Sequence, residues 1–103
     1  MTTTINEEPE IYEKVVWQDE LGHNQIRLVV NSFRGIEYLH IRKYYLDFDE
    51  NWCPTDKGIS MPLAIDSSRE LFKGLAEIMS LAESKEIIEE YFGDVIRDIY
   101  NNS

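Results

Sequence analysis

Rings and cations interleave in the middle of this chain. Phe33 and Arg34 precede Gly35; Tyr38, His40, Arg42, Lys43, Tyr44 and Tyr45 follow in one stretch, and Lys57 comes after an acidic turn. Unpaired bases stack on aromatic faces and phosphates pair with Arg and Lys, so this mixture suits single-stranded nucleic acid. It also has a plainer use, with the tyrosines as core or subunit contacts and the cations as a solvated face. His40 is open in the same way, as a nucleotide contact or as half-exposed scaffold. Trp52 either adds a stacking platform or pins its loop to the sheet.

Other chemistries find little support. No nucleophile–base pair, Walker-type glycine loop or metal-ligand spacing is present, so neither an enzyme nor a cofactor is expected. Asp47, Asp49 and Glu50 lack the glycine and terminal Glu of a calcium loop and read as a solvated turn. Two histidines and one cysteine are too few for an all-protein zinc cage. Cys53 cannot form an intrachain disulfide and is expected to be an ordinary thiol.

The elements that position the rings follow from periodicity. Tyr12–Trp17 reads as a short strand, and Asp19–Asn24 with Gly22 as a turn. In Gln25–Phe33, Ile26, Leu28 and Val30 point one way and Arg27, Val29 and Asn31 the other. Arg34-Gly35 supplies a tight connection. In Ile36–Tyr45, Leu39 and Ile41 share one face while Tyr38, His40, Arg42 and Tyr44 share the other. Pro54 and Gly58 delay the fourth strand to near Lys57. The expectation is a four-stranded antiparallel meander.

The period then becomes helical. Ser67 and Glu70 have capping-box spacing, or Asp66 caps instead, ahead of a stripe from Leu71 to Met79. Ser84 caps a second helix to Tyr100, whose stripe runs from Ile87 to Ile99. The fold class is α+β. One small sheet cannot cover two such stripes, which predicts a homodimer.

With 103 residues the chain is one domain or little more. Residues 1–11 read as a disordered acidic tail, 12–83 as the binding domain and 84–103 as a helical extension. Ten basic residues against twenty acidic give a net charge of −10, concentrated at the two ends. That charge excludes a histone-like polyanion binder, because the summed field repels phosphate. Local patches then decide which ligand is admitted. No apolar run is long enough for a membrane span, so an intracellular protein without membrane contact is expected.

The order of residues from Val29 to Met61 resembles the positive cofactor 4 family of transcriptional coactivators and single-stranded-DNA-binding proteins. That family has a Phe-Lys-Gly turn, an Ile-Arg-Glu-Tyr-Trp strand, a Pro-containing loop and a Lys-Gly-Ile-Ser-Leu strand leading into a helix. Here these stand as Phe33-Arg34-Gly35, Ile41-Arg42-Lys43-Tyr44-Tyr45, Pro54 and Lys57-Gly58-Ile59-Ser60-Met61, at matching intervals. The resemblance covers roughly residues 14–82. It implies a curved four-stranded antiparallel sheet followed by a helix, in a homodimer with two DNA channels. It implies sequence-tolerant binding of single-stranded or melted DNA in transcription, replication or recombination. Phe33 and Tyr45 become stacking residues, and Arg34, Arg42 and Lys57 phosphate contacts, with Lys43 and Tyr38 nearby.

Several positions depart from the family pattern. Tyr45 replaces a Trp, and Ile36 and Asp56 stand where the family often has cations. Strict alternation separates Tyr45 from Arg42, so a bulge or twist is required for both to meet one strand. The second helix is an addition, and the family's eukaryotic serine-rich region is absent. A compact bacterial or bacteriophage member is expected, in the cytoplasm of a bacterial or infected host cell, or in the nucleus if eukaryotic. The rival reading is an acidic protein-interaction module, in the extreme a DNA mimic, that binds a protein partner through its surface and second helix.

Overall fold

The computed structural model describes residues 10–101. The order is β1 (Glu10–Gln18), β2 (Asn24–Phe33), β3 (Ile36–Leu46), β4 (Trp52–Pro62), α1 (Ile65–Ser80) and α2 (Lys85–Asn101). The strands form one antiparallel sheet in the order β1-β2-β3-β4. The predicted meander and the two helices are therefore present. The chain divides into a sheet unit, 1–64, and a helical unit, 65–103. Of the expected acidic tail, residues 1–9 lie outside the described residues, while Glu10 and Ile11 already belong to β1.

The β2–β3 hairpin is the regular centre of the sheet. It pairs without a slip from Asn24↔Tyr45 to Phe33↔Ile36. Arg34 (φ 53°) and Gly35 (φ 80°) both take the left-handed conformation. A two-residue hairpin turn needs this, because its twist then matches that of the strands. Gly35 accepts it freely, whereas Arg34 pays about 1 kcal/mol.

The fourth strand corrects the sequence reading. It begins at Trp52, five residues before Lys57, and includes Pro54 in register with Tyr44. An edge strand tolerates proline because one side of its backbone has no ladder to complete. Between the pairs Arg42↔Gly58 and Tyr44↔Pro54 the register slips, so Thr55, Asp56 and Lys57 stand against Lys43 alone. Thr55 ties the bulge down. Its hydroxyl donates to the Lys43 carbonyl (2.8 Å) and accepts from the Lys57 amide (3.1 Å). At Gly58 a Cβ would meet the Ile41 carbonyl oxygen at 2.5 Å, so β3 and β4 approach closely only because that residue has none.

Core formation is slight. Among the described residues only Val29, Tyr44 and Gln25 are buried, all on one face of the central hairpin. In the helical unit α1 starts at Ile65, which places Asp66, Ser67 and Glu70 inside its first turns instead of at its cap. Asp66 there complements the helix dipole. Ser84 does cap α2: its hydroxyl accepts from the Ile87 amide (3.4 Å) and its carbonyl from the Ile88 amide (3.1 Å). Neither helix buries a side chain. Phe72, Leu75, Met79, Ile88, Phe92 and Ile96 line an open apolar groove between them. No helix among the described residues is long and apolar enough to cross a membrane.

Candidate nucleic-acid interface

Side chains alternate across a strand, so the unslipped β2–β3 register sorts the hairpin into two faces. One carries Gln25, Arg27, Val29, Asn31 and Phe33 from β2 and Tyr38, His40, Arg42 and Tyr44 from β3. The other carries Ile26, Leu28, Val30, Leu39 and Ile41 together with Lys43 and Tyr45. The first is the polar and aromatic face, and its groups are held by one another.

At the turn end, the Arg34 guanidinium lies 5.1 Å from the centre of the Phe33 ring. Phe33 is half-buried and Arg34 exposed. Further along, Tyr38 and His40 are tilted neighbours with ring centres 6.5 Å apart. His40 is fixed on both sides, its Nε2 2.8 Å from Asn31 Oδ1 and its Nδ1 2.5 Å from Ser60 Oγ. Partial burial, reinforced by the charge of Arg42, holds its pKa below the ordinary 6.5. Arg42 donates from Nη1 to the Thr55 carbonyl in the β4 bulge (2.9 Å), which aims its guanidinium toward that edge.

At the far end of this face the structure reveals a group the sequence reading did not single out. Arg27 sits directly across from Arg42. Its guanidinium lies 4.3 Å from the centre of the Tyr44 ring and 5.7 Å from that of Trp52. Its Nε donates to Gln25 Oε1 (2.8 Å), and its Nη1 pairs with the Glu13 carboxylate of β1. Burial, then the carboxylates of Glu10 and Glu13, keep the Tyr44 phenol above its usual pKa, so it remains neutral. Trp52 thus belongs to the sheet and its arginine stack, not to a free loop.

Of the seven predicted site residues, Phe33, Tyr38 and Arg42 share the polar face, and Arg34 stands on the turn at its end. Lys57 is exposed in the bulge of β4 beside Arg42's partner Thr55. Lys43 and Tyr45 lie on the opposite face. The bulge falls in β4 and leaves β3 straight, so it does not turn Tyr45 toward Arg42. Tyr45, 44% exposed, stands across from Cys53, whose thiol donates to Asp47 Oδ2 (3.4 Å).

Comparison with known proteins agrees with this architecture. Residues 20–65 match the family described as Transcriptional Coactivator p15 (PC4). The solved structure of a bacteriophage T5 homologue of that coactivator superposes with a TM-score of 0.68 at 28% identity, over 85% of this chain and 97% of its own. Over that segment and in its fold the chain is similar to PC4 proteins. A PC4 homologue from Burkholderia pseudomallei shares the fold, with a TM-score of 0.52 at 22% identity, over 75% of this chain and all of its own. No curated protein matches the sequence significantly. The PC4 family consists of non-enzymatic DNA-binding coactivators, and the T5 homologue is implicated in recombination-dependent DNA replication. The family match runs from the β1–β2 turn to the start of α1.

Proposed function

We propose that this chain binds single-stranded or melted DNA, with little sequence preference, as a homodimer serving replication, recombination or transcription. The observation that supports this best is the shared face. Phe33, Tyr38 and His40 offer rings, and Arg42, flanked by Arg34 and Lys57, offers cations along one strand-length path. Stacking is indifferent to base identity, since every base has a π-face, and this favours sequence tolerance. The strain accepted at Arg34 also favours it, because a glycine would fit that turn at lower cost. Tyr45 and Lys43, on the opposite face, lie off this path. The T5 homologue's part in recombination-dependent replication supports the same process here, in the cytoplasm of a bacterial or phage-infected cell.

Residues 12–83 are assigned as the binding module and 84–103 as an extension of the dimer interface. The support for a dimer is the helical groove. Two amphipathic helices that bury nothing would be unstable in isolation, and a second copy offers the matching apolar stripe.

The test is fluorescence anisotropy of labelled oligo-dT over a salt series. Phosphate contacts by Arg34, Arg42 and Lys57 give a log–log slope of roughly −2, at about −0.7 per contact. Arg42→Gln makes the slope shallower by about 0.7. Binding that ignores salt, or a preference for duplex of the same length, contradicts the proposal.

A further inference from the structure

Arg27 and Arg42 are cross-strand partners on the polar face. Two like charges placed directly opposite destabilise a sheet unless an anion lies between or beside them. Among the described residues Arg42 donates to a carbonyl, that of Thr55. Arg27 meets a carboxylate, that of Glu13 on the neighbouring strand. The Arg27 side chain is 14% exposed and that of Glu13 34%. Tyr44 and Trp52 flank the guanidinium, with ring centres 4.3 and 5.7 Å away.

We infer that Arg27 is a phosphate site of the DNA path, covered in the free protein by the Glu13 carboxylate, which a backbone phosphodiester displaces. This inference rests on the single-stranded-DNA reading above. The chemistry of the exchange is close to matched. A guanidinium fork accepts a phosphate as it accepts a carboxylate, through parallel N–H donors. Gln25 keeps its hold on Nε throughout and fixes the plane of the fork. Glu13 is the more mobile partner. It is the more exposed of the two and comes from an edge strand whose pairing slips on either side, between Glu10 and Tyr12 and between Val15 and Trp17. A phosphate seated there neutralises Arg27 and faces Arg42, so one anion relieves both cations. Glu13 thereby sets a threshold, because weak or non-nucleic anions must compete with an attached carboxylate.

The experiment compares oligo-dT binding by the unaltered full-length chain, Glu13→Gln and Glu20→Gln over a salt series. Glu20 lies on the β1–β2 turn, and its substitution makes the same charge change away from Arg27. With Arg27 uncovered, Glu13→Gln binds about three- to tenfold tighter at low salt. Its slope steepens by up to about 0.7, because the phosphate at Arg27 no longer frees a carboxylate that takes up a cation. Glu20→Gln changes affinity less than twofold and leaves the slope alone. If the unaltered chain binds and Glu13→Gln binds equally or more weakly, the covered site is overturned while the DNA reading stands. Equal tightening by both variants also overturns it, since general charge then explains the gain. If none of the three binds, both readings fall. Should Glu13→Gln not fold, Glu13→Asp, which keeps the charge but withdraws it from Arg27, must show tighter binding than the unaltered chain, and its absence overturns the inference.

Discussion

The sheet and the helical pair are both amphipathic, but they satisfy their side chains differently. On the sheet's polar face the groups answer one another: His40 is held by Asn31 and Ser60, and Arg27 by Glu13, Gln25 and Tyr44. Such a network fixes rotamers before any ligand arrives, which lowers the ordering cost of binding. Among the described residues the helices' ion pairs are all exposed, Arg69–Glu70, Lys85–Glu89 and Arg97–Asp94, of a kind worth a few tenths of a kcal/mol each. Their apolar residues face outward, with Ile78 62% and Tyr91 68% exposed. The contrast teaches a division of labour. On the proposed function, the sheet receives a polar, ring-bearing ligand and the helices an apolar surface like their own.

The most severe way to break this contrast is to charge the helical groove. Phe92→Asp is expected to make the protein sediment as a monomer and to remove the concentration dependence of its melting temperature. A carboxylate in an apolar interface costs several kcal/mol, so a surviving dimer would show that the helices are not its seam. Next in size is Gly58→Ala. The added methyl meets backbone on β3, and overpacking of this kind costs about 1–3 kcal/mol in denaturant unfolding, with β4 displaced beside Arg42.

Arg34→Gly separates folding from binding. It relieves a left-handed residue and should raise stability by about 1 kcal/mol while weakening oligo-dT binding. Gains or losses in both together would contradict a functional reason for the strain. The smallest effect concerns His40. Its folded pKa lies below 6.5, so the unfolded chain takes up the proton first. Stability is therefore full above about pH 6.5 and declines as pH falls from there toward the folded value. His40→Gln should flatten that part of the profile.

Much of this was legible in sequence, for identifiable reasons. Strands β2 and β3 follow strict alternation, and Arg34-Gly35 fixes their register, so the face shared by Tyr38, His40 and Arg42 could be read directly. The start of β4 could not. Pro54 and Gly58 look like breakers, and only an edge position with a bulge accommodates the first while close strand approach demands the second. Arg27 escapes a reading by composition because it stands alone among Ile26, Leu28 and Val29. Its signal was there in the hairpin register, which sets it opposite Arg42. Its partner Glu13 was not, since the β1–β2 pairing slips twice and no local rule predicts where. The caps divide in the same way: Ser84 was readable, while α1 begins early enough to leave Ser67 inside its first turns.

The central claim is that the polar face of the sheet, and not the helical pair, receives single-stranded DNA. Its most direct test is an NMR titration of the isotope-labelled chain with oligo-dT, following backbone amides and the Arg side chains. The account predicts shifts concentrated at Phe33, Arg34, Tyr38, His40 and Arg42, with α1 and α2 unmoved. Shifts confined to the helices, or none at low salt, would contradict it.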